Sequence, residues 1–232
     1  MPLAPASERL QGVRHALWGS AGHAKVLSAL IARRGGQVVA LFDNRELLSA
    51  LPGVPLHRGE AGFAQWVAQQ DAPHDIHALV AIGGDRGRDR LALQALMQRH
   101  GLHIGTLVHP QASVCDSATL GAGTQILAGA CVAAEARLGL ATIVNHGAVV
   151  DHECVLGDGV HIAPNATLCG CIELGDHVMV GAGAVVLPRV RLGADCVVGA
   201  GAVVTKSWPA GSVLVGNPAR LRAAPTAAAT AA

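Results

Sequence analysis

Tyrosine is absent from this chain of 232 residues, and all aromatics together make up 2%. Proteins that grip single-stranded nucleic acid stack bases on aromatic side chains, so the scarcity argues against that class. Charge of either sign is also thin: Asp, Glu, Lys and Arg amount to 14%, and the net charge is +1 with His neutral. A nucleic-acid footprint needs clustered Lys and Arg, and no basic run stands out. No apolar run reaches the length that spans a bilayer. The opening "MPLAPASERLQG" lacks the basic-then-apolar plan of a signal peptide. The expectation is a cytoplasmic protein without nucleic-acid or membrane partners. The six cysteines, at 115, 131, 154, 169, 171 and 196, form no CxxC pair. With 51% apolar residues the chain has core enough to do without disulfide staples, so reduced thiols are expected. Cys169-Gly-Cys171 resembles half of a metal site whose second half the sequence does not reveal.

Aliphatic residues, by contrast, recur with strict order. From Val108 every sixth residue is Val, Leu or Ile through Val204, seventeen in succession. A mostly small residue stands two places earlier, as at Ala118, Thr124, Ala130, Ala136 and Cys154. Gly often follows directly, as at 121, 139, 157, 175 and 193. A helix needs a period of 3.6 and an ordinary strand a period of 2. A period of six with turn glycines is the mark of a hexapeptide parallel β-helix. Three hexads make a coil of about 18 residues, giving about five coils stacked about 4.8 Å apart. The aliphatic residue fills the interior, and the small one lets the wall bend.

Residues 1–107 lack this period and alternate β and α: strands in "HALWG", "QVVALFD" and "IHALVAIGG", helices in "AKVLSALIARRG", "EAGFAQWVAQQ" and "RDRLALQALMQRHG". The expected organisation is a Rossmann-like parallel α/β domain over 1–107, a β-helix over 108–222 and a loose tail over 223–232.

Three motifs carry candidate chemistry. In "WGSAGHAKVL" a strand ends at Gly19 and a helix begins near Ala24, which gathers backbone N–H groups at a positive helix end, a ready anion site. A plain tight β–α turn is the alternative. Asp43 closes the second strand, where it can accept from ribose hydroxyls or simply cap the turn "DNRE". Gly84 and Asp85 sit in the turn after the strand "IHALVAIGG", at the same C-terminal sheet edge that ligands favour. The second motif is "VVDHECVLGDGVHIAPN". One coil above His152 lies Gly170, which sets a base beside a backbone N–H, an arrangement suited to acyl transfer. A solvated histidine is the alternative. So is a shared metal site from His146, His152, His161 and His177, although spacings of 6, 9 and 16 repeat no ligand pattern. His161 lies half a coil from His152, which one chain would not easily bring together but a neighbouring subunit could. Cys154 falls on a small inward position and reads as core. The third motif is the closing "VGNPAR", which also reads as a capping turn.

Taken together, "GSAGHAKVL", "DHECVLGDGVHIAPNATLCG", "VGAGAVVLPRVRLGADCVVGAGAVVTK" and "VGNPAR" resemble the bacterial sugar acetyltransferases of the NeuD/PglD type, from about His15 to Arg220. The resemblance implies a left-handed β-helix and a homotrimer with active sites between subunits. It implies acetyl-CoA as co-substrate, no metal, and a nucleotide sugar as acceptor. It implies His152 as general base supported by Glu153. His161 and Gly170 would contact the acetyl group, and Gly216, Asn217 and Pro218 would lie along coenzyme A. The nucleotide sugar would be held by Gly19, Ser20, Gly22, His23, Asp43, Gly84 and Asp85. The expected reaction is N-acetylation of a UDP-linked 4-amino sugar. O-acetylation of a sialic acid and a non-catalytic nucleotide-sugar scaffold are the alternatives.

Overall fold

The structure, a computed structural model, describes residues 10–222; the expected loose tail 223–232 lies outside the described residues. The first layer is a fully parallel sheet of β1 (Arg14–Trp18), β2 (Gln37–Asp43), β3 (Leu56–Arg58), β4 (Ile76–Val80) and β5 (His103–Ile104). Its spatial order is β3-β2-β1-β4-β5. Helices α1 (Gly22–Arg33), α2 (Gly59–Val67) and α3 (Gly87–Arg99) link these strands. Strands β1, β2 and β4 are short apolar runs buried on both faces, as expected of a covered parallel sheet. Leu17, Leu41 and Leu79 pack with α1 residues Ala24, Leu27 and Ile31. On the opposite face Trp18, Phe42, Phe63 and Trp66 form one cluster, with ring centroids 5.0–5.6 Å apart. The chain has two Phe and three Trp, so four of its five aromatics serve this single core. Strands β3 and β5 had no counterpart in the sequence reading; at three and two residues they are too short to show alternation.

From Leu107 the chain winds into a left-handed β-helix of triangular section. Its two-residue strands stack in parallel with a step of 18: Val132 pairs with Val150, Leu138 with Leu156, Val144 with Ile162. The three walls are continuous sheets. We call them the first wall (through Val149–Val150), the second (through Val155–Leu156) and the third (through His161–Ile162). The aliphatic ladder is the core. Only Val114 and Leu120, in the first coil, are less than fully buried. Each fully buried Val, Leu or Ile contributes about 1.5–3 kcal/mol, so stability is spread evenly along the helix axis.

The turning device differs from the one expected. The glycines that follow the ladder residues have ordinary φ. They are needed because a Cβ at Gly121, Gly139, Gly157 or Gly175 would lie 2.5–2.7 Å from the backbone of the next coil. The left-handed conformation falls two residues later, at Gly123, Gly129, Gly147, Gly159, Gly183 and Gly201. Glu135, Ala141, Glu153, Asn165, Cys171, His177, Arg189 and Asp195 adopt it in the same frame, with φ of 51–61°. From Gly123 to Gly201 every corner therefore turns at a fixed place in the frame, whatever residue stands there.

The α/β layer docks on the third wall and on the corner that precedes it. Arg90 of α3 is fully buried and donates to the carbonyls of Ala141 (3.1 Å), Gly159 (2.5 Å), Ile82 (3.2 Å) and Gly84 (3.3 Å). Gln94 donates to Ala122 O, and Gln125 on the wall donates to Val80 O. Burial holds the Arg90 guanidinium down to about 10, still charged at neutral pH.

Candidate active site

Asp151–Cys154 form the corner between the first and second walls. Strand alternation alone would point His152 and Glu153 apart. Glu153 instead has φ +58°, and this left-handed turn folds its carboxylate back toward its neighbour. Its Oε1 lies 3.1 Å from His152 Nδ1. The His152 N–H donates to Asp151 Oδ1 at 2.7 Å. Both His152 and Glu153 are half exposed. One coil above, the Cys171 N–H donates to His152 O at 2.9 Å. A Cβ at Gly170 would press on His152 Nε2 and lie 2.5 Å from its Cε1, so only glycine leaves the imidazole in place. The Gly170 N–H has no partner among the described residues. With Nδ1–H donated to Glu153, the imidazole lone pair is on Nε2, beside that free N–H. A base and an oxyanion donor one coil apart can serve acyl transfer. A groove of about 540 Å³ opens above this corner on the second wall, lined by Val155, Glu173, Arg191, Ser207 and Trp208 among others.

A second cluster gathers where the sheet order reverses between β1 and β4, the place where open α/β sheets bind ligands. Gly19 has φ +115°, and a Cβ there would lie 2.5 Å from Ala81 O. Helix α1 starts at Gly22 with no side-chain cap and no acidic residue in its first turn. The Gly22 and His23 N–H groups thus remain at a positive helix end. A Cβ at Gly22 would meet nothing within 4 Å, so the space in front of this turn is open. Gly84 and Asp85 line the facing turn, and the Gly84 N–H donates to His161 Nδ1 at 2.9 Å.

The bacterial transferase hexapeptide family (six repeats) matches residues 172–206. No curated protein matches the chain. Among solved structures, PerB of Caulobacter crescentus in complex with CoA and GDP-perosamine is 33% identical, with a TM-score of 0.82 over 90% of this chain and 97% of that one. The acetyltransferase domain of PglB from Neisseria gonorrhoeae, in complex with acetyl coenzyme A, is 31% identical, with a TM-score of 0.81 over 91% of this chain and 100% of that one. The chain belongs to the NeuD/PglD-type sugar acetyltransferases. WeeI of Acinetobacter baumannii is similar at 26% identity and a TM-score of 0.78, covering 90% of this chain and 99% of that one. No helix among the described residues of this acetyltransferase is long and apolar enough to cross a membrane.

The structure sorts the expected site residues of the acetyltransferase into three places. His152, Glu153 and Gly170 meet at the corner. Gly216, Asn217 and Pro218 are exposed at the far end of the β-helix, with a cis peptide between Asn217 and Pro218. Gly19, Ser20, Gly22, His23, Asp43, Gly84, Asp85 and His161 gather at the docking face. His161 is buried there, with Nε2 3.2 Å from the Asn145 side-chain amide. Burial and the nearby Arg90 push it down to about 4, so it is neutral at physiological pH. His23 turns its ring to Gln125 on the third wall, at 2.7 Å. Asp43 is already engaged: it accepts from Ser20 N–H (2.9 Å) and, through both oxygens, from the Arg45 guanidinium. Burial alone would raise its carboxyl, but hydrogen bonds from Arg45 and Ser20 outweigh it and hold it at about 2. A ribose hydroxyl would have to displace Arg45. The sequence reading did not single out Arg90, Asn145 or Gln125. Their signal is three-dimensional, since each joins segments far apart in the chain.

Proposed function

We propose that this acetyltransferase moves the acetyl group of acetyl-CoA to the amino group of a nucleotide-linked amino sugar, with His152 as general base. The observation that carries the reading is the His152 imidazole, held by Glu153 and seated against Gly170 with its free N–H. As the sugar nitrogen attacks the thioester carbon, Nε2 takes its proton. The C–N bond forms, the carbonyl oxygen gains charge opposite the Gly170 N–H, and the C–S bond then breaks. The coenzyme thiolate collects the proton from His152. No covalent enzyme intermediate is required, because a neutral amine is nucleophilic enough. Cys154 is buried and its thiol pushed up to about 11 by burial, which suits core rather than nucleophile. Coenzyme A would lie along the later coils, where the groove on the second wall supports it, toward Gly216, Asn217 and Pro218. The nucleotide would sit on the Gly22 and His23 N–H groups, facing Gly84 and Asp85. The complexes of PerB and the PglB domain support both ligand classes.

The finer reading is a UDP-linked 4-amino sugar. Thiol release from acetyl-CoA across UDP- and GDP-linked amino sugars and sialic acids tests it. Turnover with GDP-sugars alone would refute UDP, and turnover with sialic acid alone would replace N- by O-acetylation. No acceptor in the panel would turn over if the chain were a scaffold.

The active form should be a trimer. Within one chain the docking face and the His152 corner lie on different sides of the β-helix, so a shared site needs a neighbour. The first wall can supply the contact: Cys131, Val149, Thr167, Val185 and Val203 face out from it without charge, whereas the second wall carries Arg137, Glu173 and Arg191. Light scattering should give three chains per particle at micromolar concentration, and a monomer would exclude the shared cleft.

Gly22→Val should raise KM for the nucleotide sugar about tenfold or more and leave KM for acetyl-CoA nearly unchanged. The added side chain enters open space, so it obstructs the ligand and not the fold. Equal losses for both substrates would point to misfolding.

A further inference from the structure

Cys171 is not used by the reaction above, and of the Cys169-Gly-Cys171 pair it alone joins a cluster of possible metal ligands. It occupies the left-handed corner position one coil above Glu153, with φ +59°. Its sulfur faces Glu153, with Sγ 3.9 Å from Oε1. Glu153 Oε1 is in turn 3.1 Å from His152 Nδ1. One donor atom from each of the three residues lies within 4.8 Å of the other two. Tetrahedral zinc, with bonds of about 2.0–2.3 Å to N, O and S, spaces its ligands about 3.4–3.6 Å apart. The two short separations bracket that value, so small side-chain rotations would close the set. The corner is open to solvent, which leaves room for water as a fourth ligand.

We propose that His152, Glu153 and Cys171 form an inhibitory zinc site. The mixed N, O and S donor set favours zinc over magnesium or calcium, which prefer oxygen. The consequence for chemistry follows from proton placement. Zinc takes the Nδ1 lone pair, so the one proton of the neutral imidazole moves to Nε2. Nε2 then has no lone pair to accept the substrate proton. The Cys171 thiol gives its own proton to solvent as the sulfur ligates. Zinc therefore switches off the base without touching either substrate pocket. The inhibition rests on His152 being the base; the binding does not.

The test uses the purified full-length protein, stripped of metal, with zinc chloride as the probe and a chromophoric chelator as competitor. One zinc per chain should bind, with release of protons. Cys171→Ser should weaken binding by about tenfold or more. Cys171→Asn, which tolerates the left-handed turn, should do the same. In turnover, zinc should lower kcat of the wild type and EDTA should restore it. The Cys171→Ser protein should keep its own zinc-free rate at the same zinc concentration. Variants that hold zinc as tightly as the wild type would overturn the site, and stoichiometric binding without loss of rate would overturn the inhibition. A chain that acetylates nothing would sink the functional reading, and the chelator comparison would still decide the site.

Discussion

His152→Ala should lower kcat by roughly 10²–10⁴-fold, the usual contribution of a positioned general base. The KM for acetyl-CoA should change little, because the coenzyme is proposed to lie on later coils. The melting temperature should hardly move. The side chain is half exposed, and the corner is built by backbone bonds, Cys171 N–H to His152 O and Glu153 N–H to Ala134 O, that survive the substitution. Gly170→Ala gives an independent reading of the same geometry. Its methyl group would press on Nε2, so the imidazole must swing off Glu153 although every catalytic side chain is retained. It should therefore lower kcat while leaving the fold intact. Stopped-flow or steady-state thiol release with both substrates saturating is the measurement. Near-full activity of His152→Ala would remove His152 as the base, and His161 or His146 would be next to test. Of these, His161 is the weaker candidate, since burial beneath Gly84 keeps both its ring nitrogens occupied or close to partners.

Arg90→Leu should destabilise the protein by roughly 3 kcal/mol or more. Four carbonyls, at Ala141, Gly159, Ile82 and Gly84, face the guanidinium, and each buried acceptor stripped of its donor costs about 1–3 kcal/mol. The loss should not be uniform. The β-helix has its own continuous core, whereas the α/β layer docks on it through polar contacts, of which Arg90 makes two, at Ala141 and Gly159, beside those of Gln94, Gln125, His23, the Gly84–His161 bond and the Arg88–Asp195 ion pair. Hydrogen exchange should show protection lost first along α3 and the 82–84 turn, and later or not at all in the ladder strands. Arg90→Lys keeps the charge but not the fork of donors, so it should recover only part of the loss. Uniform exchange across both layers would show that they unfold as one unit. A variant as stable as the wild type would show that water satisfies those carbonyls.

Sequence and structure agree most where one residue type recurs under one constraint. The ladder is legible because every sixth position must be aliphatic to fill the interior. Its period also places Gly170 over His152 before any coordinates are known. The corner positions were not legible, because the left-handed conformation there is imposed by the coil and tolerates Glu153, Asn165, Cys171, His177 and Arg189 alike. The glycines that did attract notice, such as Gly157, answer to crowding by the next coil. Glu153 could be joined to His152 only by resemblance, since the turn that joins them leaves no mark in the residue types. Arg90 sits in the charged run "GDRGRDR" and reads as a solvated residue. Its burial depends on a wall more than fifty residues away. Asp43 shows the reverse case: it was recognised as a strand-end carboxylate, but its neighbour Arg45 already claims both oxygens.

The 18-residue step makes length itself a discrete variable. Removing six residues above Gly170 would shift every later residue by one wall, whereas removing one would exchange inside for outside. Removing or duplicating a whole coil of 18 changes neither wall nor facing; it only moves the far end, with Gly216, Asn217 and Pro218, nearer to or farther from the His152 corner by one strand spacing of about 4.8 Å. The distance between the two ends of a long ligand can thus be reset in whole steps, like notches on a ratchet, without retuning the corner where the bond is made.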